Sequence, residues 1–216
     1  MRYESSLKKN IRAFVELPDF IYQKVDEGIM TLTHFSDVLR MALLYQHGGL
    51  WMDATLFITR DFFGEIVGRP LYTNRIEGKV DHSFVSEYQW SGFLLGGAKG
   101  NPLFGGVLSL LLEYWRTRNL LVEFYLIDFF IALARDKIPS VHAMIDRLEP
   151  NNPDIHSLHG MLGQAYDPCL MSVLMKSSYV FKLTWKKRFE EYTDGQLTFF
   201  GWLVNDALIE SGGVDG

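Results

Sequence analysis

Residues 35–55 read FSDVLRMALLYQHGGLWMDAT. Phe35, Val38, Leu39, Ala42 and Leu43 fall at the i, i+3, i+4, i+7, i+8 positions of one helical face, so the spacing predicts a helix starting near His34. Thr33 or Ser36 is placed to cap its start, and Asp37 suits its positive end. Gly48-Gly49 stops it, because glycine accepts the left-handed backbone at a helix C-terminus. Leu50-Trp51-Met52 then reads as a short buried strand carrying a carboxylate, Asp53, at its C-terminal end. Leu56-Phe57-Ile58 continues as a second extended segment.

Outward from this unit, residues 64–82 predict a loop-rich stretch with a strand near Pro70-Leu71-Tyr72. GFLLGG after Trp90 predicts another strand, closed by a turn at Lys99-Gly100-Asn101. Asn101 caps and Pro102 opens a helix running to about Arg116. Further helices are expected over 121–135, where LLVEFYLIDFFIALA reads as buried, and after Pro139. Asn151-Asn152-Pro153 is a break, 179–184 a strand, and 210–216 a disordered tail. No linker or repeat interrupts the chain, so residues 1–209 read as one domain. Helices between short buried strands predict an α/β fold, in which ligands bind at strand C-termini, where Asp53 sits.

The net charge of −5, with no extended basic run, gives nucleic acid no electrostatic footprint; Lys8-Lys9 and Lys186-Lys187-Arg188 are too small to change that. The single cysteine, Cys169, excludes an intramolecular disulfide, fits a reducing cytoplasm, and reads as a buried structural thiol. No apolar run has the length of a signal peptide or membrane span; peripheral attachment at the inner face of a membrane stays open. His34, His47, His82, His142, His156 and His159 lack metal-ligand spacing, and GGAKG lacks the ending of a phosphate-binding P-loop and reads as a turn.

Asp37 and Arg40 share a helix face, and Asp53 follows the next strand. Two acids and a guanidinium converging would make a grip for sugar hydroxyls; the alternative is an ordinary i, i+3 ion pair. Asp128, inside an apolar helical stretch, is costly unless paired or functional. It either serves a reacting sugar or acceptor hydroxyl, or pairs with Arg116, Arg118 or another base. Trp90 fits a core role or a sugar-stacking one.

FSDVLRMALLYQHGGLWMDAT resembles the signature of capsular polysaccharide synthesis proteins and, more distantly, is similar to glycosyltransferases with a DxD sugar-binding region and to the large glucosylating toxins. LTHFSD, GGAKGNPLF at 96–104, FYLIDFF at 124–130, EPNNPDI at 149–155 and VFKLTWKK at 180–187 extend the resemblance along the chain. It implies a nucleotide-diphospho-sugar transferase (GT-A-like) fold, a mixed sheet flanked by helices. It implies a bacterial cytoplasmic enzyme that moves a hexose, with retained anomeric configuration, from a nucleotide-sugar donor to a carbohydrate acceptor. Asp37 and Arg40 would hold donor hydroxyls, and Asp53 the ribose or sugar near a Mn²⁺ or Mg²⁺ ion. Trp185, Lys186 and Lys187 would hold the diphosphate, unless these lysines are a solvated strand end. Asp53 and Asp128 are the catalytic candidates, and Asp53 with Thr55 the metal candidates.

At Thr55 the motif departs from the pattern: a second carboxylate is expected there, and a hydroxyl is a weaker ligand for a hard dication. About thirty residues precede the SDxxR helix, which reads as a missing part of the nucleotide-binding half. Both features support the alternative of a non-catalytic carbohydrate-binding or assembly subunit derived from such an enzyme. A metal-dependent hydrolase using Asp37 and Asp53 ranks below both, lacking the usual ligand set.

Overall fold

The computed structural model describes residues 11–78 and 81–211, with side chains through residue 205. Lys8-Lys9 and most of the expected tail lie outside them. In chain order the elements are α1 (Asp19–Asp26), α2 (Leu32–His47), β1 (Gly49–Met52), β2 (Leu56–Ile58), α3 (Phe63–Ile66), β3 (Leu71–Thr73) and β4 (Leu94–Gly97). They continue as α4 (Pro102–Thr117), α5 (Leu126–Lys137), α6 (Pro139–Asp146), α7 (Ser157–Met161), α8 (Pro168–Ser177), β5 (Val180–Lys182), β6 (Tyr192–Thr193), β7 (Gln196–Leu197) and α9 (Phe199–Ser211). This is a mixed α/β protein, and all strand pairings among the described residues are antiparallel. None of its helices there is long and apolar enough to cross a membrane.

Two compact units emerge, one of residues 1–52 and 62–149, the other of residues 53–61 and 150–216. The second unit takes its first strand from a nine-residue excursion, so no linker-like composition marks the division.

In the first unit α2 is the central helix. Thr31, not Thr33 or Ser36, caps it, its hydroxyl accepting from the His34 amide at 3.4 Å. The expected apolar stripe is there and wider, since Met41 and Leu44 are also buried while Leu39 and Leu43 pack partly exposed against the core. Gly48, at φ 72°, turns the chain into β1; a Cβ there would stand 2.6 Å from the Lys99 amide nitrogen, so both conformation and space demand glycine. The expected buried strand is half-buried, because β1 is an edge of a three-stranded sheet ordered β1-β4-β3. Its partner register pairs Leu50 with Gly96 and Met52 with Leu94.

Asn101 caps α4 as expected, its side-chain oxygen accepting from the Leu103 amide at 2.8 Å, with Pro102 in the first turn. The face of α4 carrying Leu103, Phe104, Val107, Leu111 and Trp115 fills the core beneath α2. The helix expected from residue 121 starts at Leu126. Leu120, Val122, Phe124 and Tyr125 lie exposed in the loop before it, tied down by Tyr114, whose hydroxyl donates to the Leu120 carbonyl at 2.6 Å.

The second unit pairs β2 with β5 in the register Leu56–Lys182, Phe57–Phe181 and Ile58–Val180. Leu158, Leu162, Met171, Leu174, Phe181 and Phe199 form its core. Asp167 caps α8 through its carboxylate, which accepts from the Cys169 and Leu170 amides. Cys169 is thereby held on the first turn and is exposed, correcting its reading as a buried thiol. β6 and β7 form a hairpin across Asp194-Gly195, both with positive φ, the chemistry of a tight two-residue turn. α9 continues through Ser211, into the stretch expected to be disordered.

Candidate functional site

Helix α2 carries Asp37 and Arg40 one turn apart, both only 7% exposed. The guanidinium Nη2 lies 3.5 Å from an Asp37 oxygen, and the guanidinium carbon 5.1 Å from the centre of the Trp51 ring on β1. Gly92 leaves room for the guanidinium: a Cβ there would approach Arg40 Nη1 to 2.9 Å.

Asp128, on the first turn of α5, joins the same group. Burial pushes its carboxyl above the ordinary aspartate range; the Trp90 indole N–H, donating at 2.9 Å, and the Arg40 guanidinium pull it down and only partly offset that. Its partners are therefore Trp90 and Arg40. The base beside Asp128 is thus Arg40, while Arg116, one of the partners the sequence offered, makes a bidentate pair with Glu113. Trp90 is 4% exposed, so its ring belongs to the core and its polar contribution is the hydrogen bond to Asp128. One guanidinium thus pairs with Asp37 and acts electrostatically on Asp128 inside the first unit, an arrangement that is expensive in desolvation unless each charge is held by its neighbours.

Asp53 opens the second unit, directly after the last residue of β1 in the chain. Its carboxylate accepts from the Lys182 ammonium at 2.9 Å, and the same ammonium lies 2.5 Å from the Thr55 hydroxyl. The pairing of β2 with β5 produces this contact: Lys182 stands opposite Leu56, next to Thr55 in the chain, and the Leu183 amide donates to the Thr55 carbonyl at 2.8 Å. Aspartate and threonine, the two candidate positions of the DAT motif, are therefore joined through one lysine.

Within VFKLTWKK the sequence points to the Lys186-Lys187 pair, not to Lys182. The available sign was its position as the charged end of an otherwise apolar strand. Trp185, Lys186 and Lys187 follow it on an exposed segment; Trp185 is 79% exposed. Trp185 and Lys187, with Leu183, Phe189 and Phe200, line an open groove of about 720 Å³ in the second unit. Lys186 lies outside it, its amide donating to the Thr184 hydroxyl. Among the described residues, no three His, Cys, Asp or Glu side chains cluster in a way that could hold a metal ion.

The named pieces therefore assemble into two groups, Asp37–Arg40–Asp128–Trp90 in the first unit and Asp53–Lys182–Thr55 in the second. Comparison with curated proteins and with solved structures returned no match. A family model for capsular polysaccharide synthesis proteins matches residues 7–201, a span that includes every residue of both groups. The chain belongs to the capsular polysaccharide synthesis protein family.

Proposed function

We propose that the protein is a GT-A-type glycosyltransferase that moves a hexose from a nucleotide-diphospho-sugar donor to a polysaccharide or other carbohydrate acceptor. The observation that carries this reading is the buried group in the first unit, where Arg40 pairs with Asp37 and its charge also acts on the Asp128 carboxyl held by Trp90. Replacing a buried ion pair by apolar side chains of similar volume is often neutral or stabilising, so such a group is weak evidence for a purely structural role. Fixed acceptors and donors of this kind suit the hydroxyls of a pyranose.

In this reading Asp37 and Arg40 orient donor hydroxyls, and Asp128 orients the acceptor hydroxyl or the reacting sugar. Asp53 accepts from ribose or sugar hydroxyls on the donor. Transfer breaks the bond from the anomeric carbon to the diphosphate oxygen and forms one to the acceptor oxygen. With retention, the departing phosphate takes the acceptor proton, so no side-chain nucleophile is required. Preorganised charges stabilise the negative charge that develops on that phosphate. Trp185, Lys186 and Lys187 are further candidates for the diphosphate side. The proposed site of action is the cytoplasm, a setting compatible with peripheral attachment to the inner face of a membrane.

Thr55, where a metal-binding carboxylate is expected, favours a second reading, a carbohydrate-binding or assembly subunit without transfer activity. Incubation with a panel of labelled nucleotide sugars separates the two. Release of nucleoside diphosphate by the native protein, abolished in Asp53→Asn with the fold intact, supports the transferase. Saccharide binding without nucleotide affinity or turnover supports the subunit.

A further inference from the structure

We infer that Lys182 is the resident cation of the Asp53-Ala54-Thr55 motif, so that the protein engages a diphosphate without a divalent metal. This deepens the transferase reading and rests on it. The ammonium lies 2.9 Å from Asp53 Oδ2 and 2.5 Å from Thr55 Oγ1, so the two side chains that would ligate a metal at this motif already coordinate a positive charge. A Mn²⁺ or Mg²⁺ ion bound by the same oxygens would sit against that ammonium and be repelled by it. Thr55 makes the donor set poorer still, since a hard dication prefers carboxylate oxygen and a neutral hydroxyl leaves a single negative ligand. The residues present do not fit a dication, and they fit a lysine well.

Three features make the lysine part of the motif and not a stray surface charge. Register fixes it: Lys182 is the last residue of β5 and stands across from Leu56. Its amide donates to the Ile155 carbonyl at 2.7 Å, so its backbone is held on both sides of the strand. Phe181, the preceding residue, is fully buried and anchors the strand in the core of the second unit. A fixed ammonium is a compact point charge of the kind that binds phosphate oxygens. Asp53 holds that charge in place, and the anionic leaving group draws on it as charge builds.

The test uses the full chain. Binding of UDP, GDP, CDP and ADP is titrated calorimetrically in EDTA and again in Mn²⁺, and uptake of Mn²⁺ alone is followed by electron paramagnetic resonance. The native protein is expected to bind one of these diphosphates with an affinity that changes less than about twofold between the two conditions, and to leave Mn²⁺ free. Lys182→Met should weaken that binding about tenfold or more, and Lys182→Arg should restore most of it. Thr55→Asp combined with Lys182→Met rebuilds a two-carboxylate motif and should take up Mn²⁺, with diphosphate binding then tighter in Mn²⁺ by about tenfold. Stoichiometric Mn²⁺ uptake by the native protein, lost in Asp53→Asn, overturns the inference and leaves the transferase reading standing. Absence of binding to every diphosphate, with and without Mn²⁺, overturns both. The native protein and Lys182→Arg carry the test even if Lys182→Met does not fold.

Discussion

A Cβ atom added at Gly92 would stand 2.9 Å from Nη1 of Arg40, closer than a carbon–nitrogen contact allows. The backbone at Gly92 does not require positive φ, so alanine is conformationally acceptable and the conflict falls on the guanidinium alone. Gly92→Ala should therefore displace Arg40 from Asp37 while the protein keeps its fold. A displacement of about 1 Å in a positioning group can lower transfer about 100-fold. Donor turnover measured beside a far-ultraviolet circular dichroism spectrum checks this; native-like turnover in Gly92→Ala would remove Arg40 from the donor site.

The Asp37–Arg40 pair makes an asymmetric prediction about stability. Asp37→Ala leaves a buried guanidinium with one carboxylate neighbour fewer and should cost about 3 kcal/mol. The double variant Asp37→Ala/Arg40→Met removes both charges and should be less destabilised than the sum of the two single changes. Urea unfolding of the four proteins closes the cycle, and additive effects would mean that the two side chains do not interact.

Asp128 ties stability to pH. Its carboxyl is raised in the folded protein, chiefly by burial, with Trp90 and Arg40 opposing that. A group raised in this direction binds its proton more tightly folded than unfolded. The neutral form is favoured at acid pH, and stability is lost as pH rises from the ordinary aspartate range through the raised value. Asp128→Asn keeps an oxygen for the Trp90 N–H and carries no charge at any pH. Its melting temperature relative to the native protein should thus be more favourable at neutral pH than at pH near 4. A difference that stays constant with pH would mean that Asp128 titrates as an exposed acid.

Much of the first unit was readable from local signals. Asn101-Pro102 at a helix start and Gly48-Gly49 at a helix end act through backbone geometry within a few residues, and both elements appear where that chemistry puts them. The start of α5 was not readable, because an apolar run of exposed loop and an apolar helix have the same composition. What separates them is Tyr114, a residue on another helix whose hydroxyl bonds the loop backbone on both sides. Lys182 was unreadable for a similar reason. It meets Asp53 across 129 positions, and only the pairing of β2 with β5 brings the two together. The neighbours Lys186 and Lys187 form a visible cluster of charge, whereas the lysine that reaches the motif stands alone in an apolar strand.

Asn152 governs whether β5, and with it Lys182, is in place. Its backbone sits at φ 46°, a left-handed conformation that asparagine tolerates better than most residues. Its side-chain oxygen accepts from the amides of Tyr179 and Val180, at 2.8 and 3.1 Å, at the start of the strand. Both contributions can be separated. Asn152→Gly keeps the backbone freedom and loses the two hydrogen bonds, whereas Asn152→Ala loses both. Removing the buried acceptor leaves two amides unsatisfied, so Asn152→Gly should destabilise the second unit by about 2 kcal/mol and Asn152→Ala by about 1 kcal/mol more. Hydrogen exchange at the Tyr179 and Val180 amides reads the effect directly. Faster exchange in both variants, larger in alanine, is the expected result, and equal exchange in the two would show that backbone conformation at Asn152 contributes nothing.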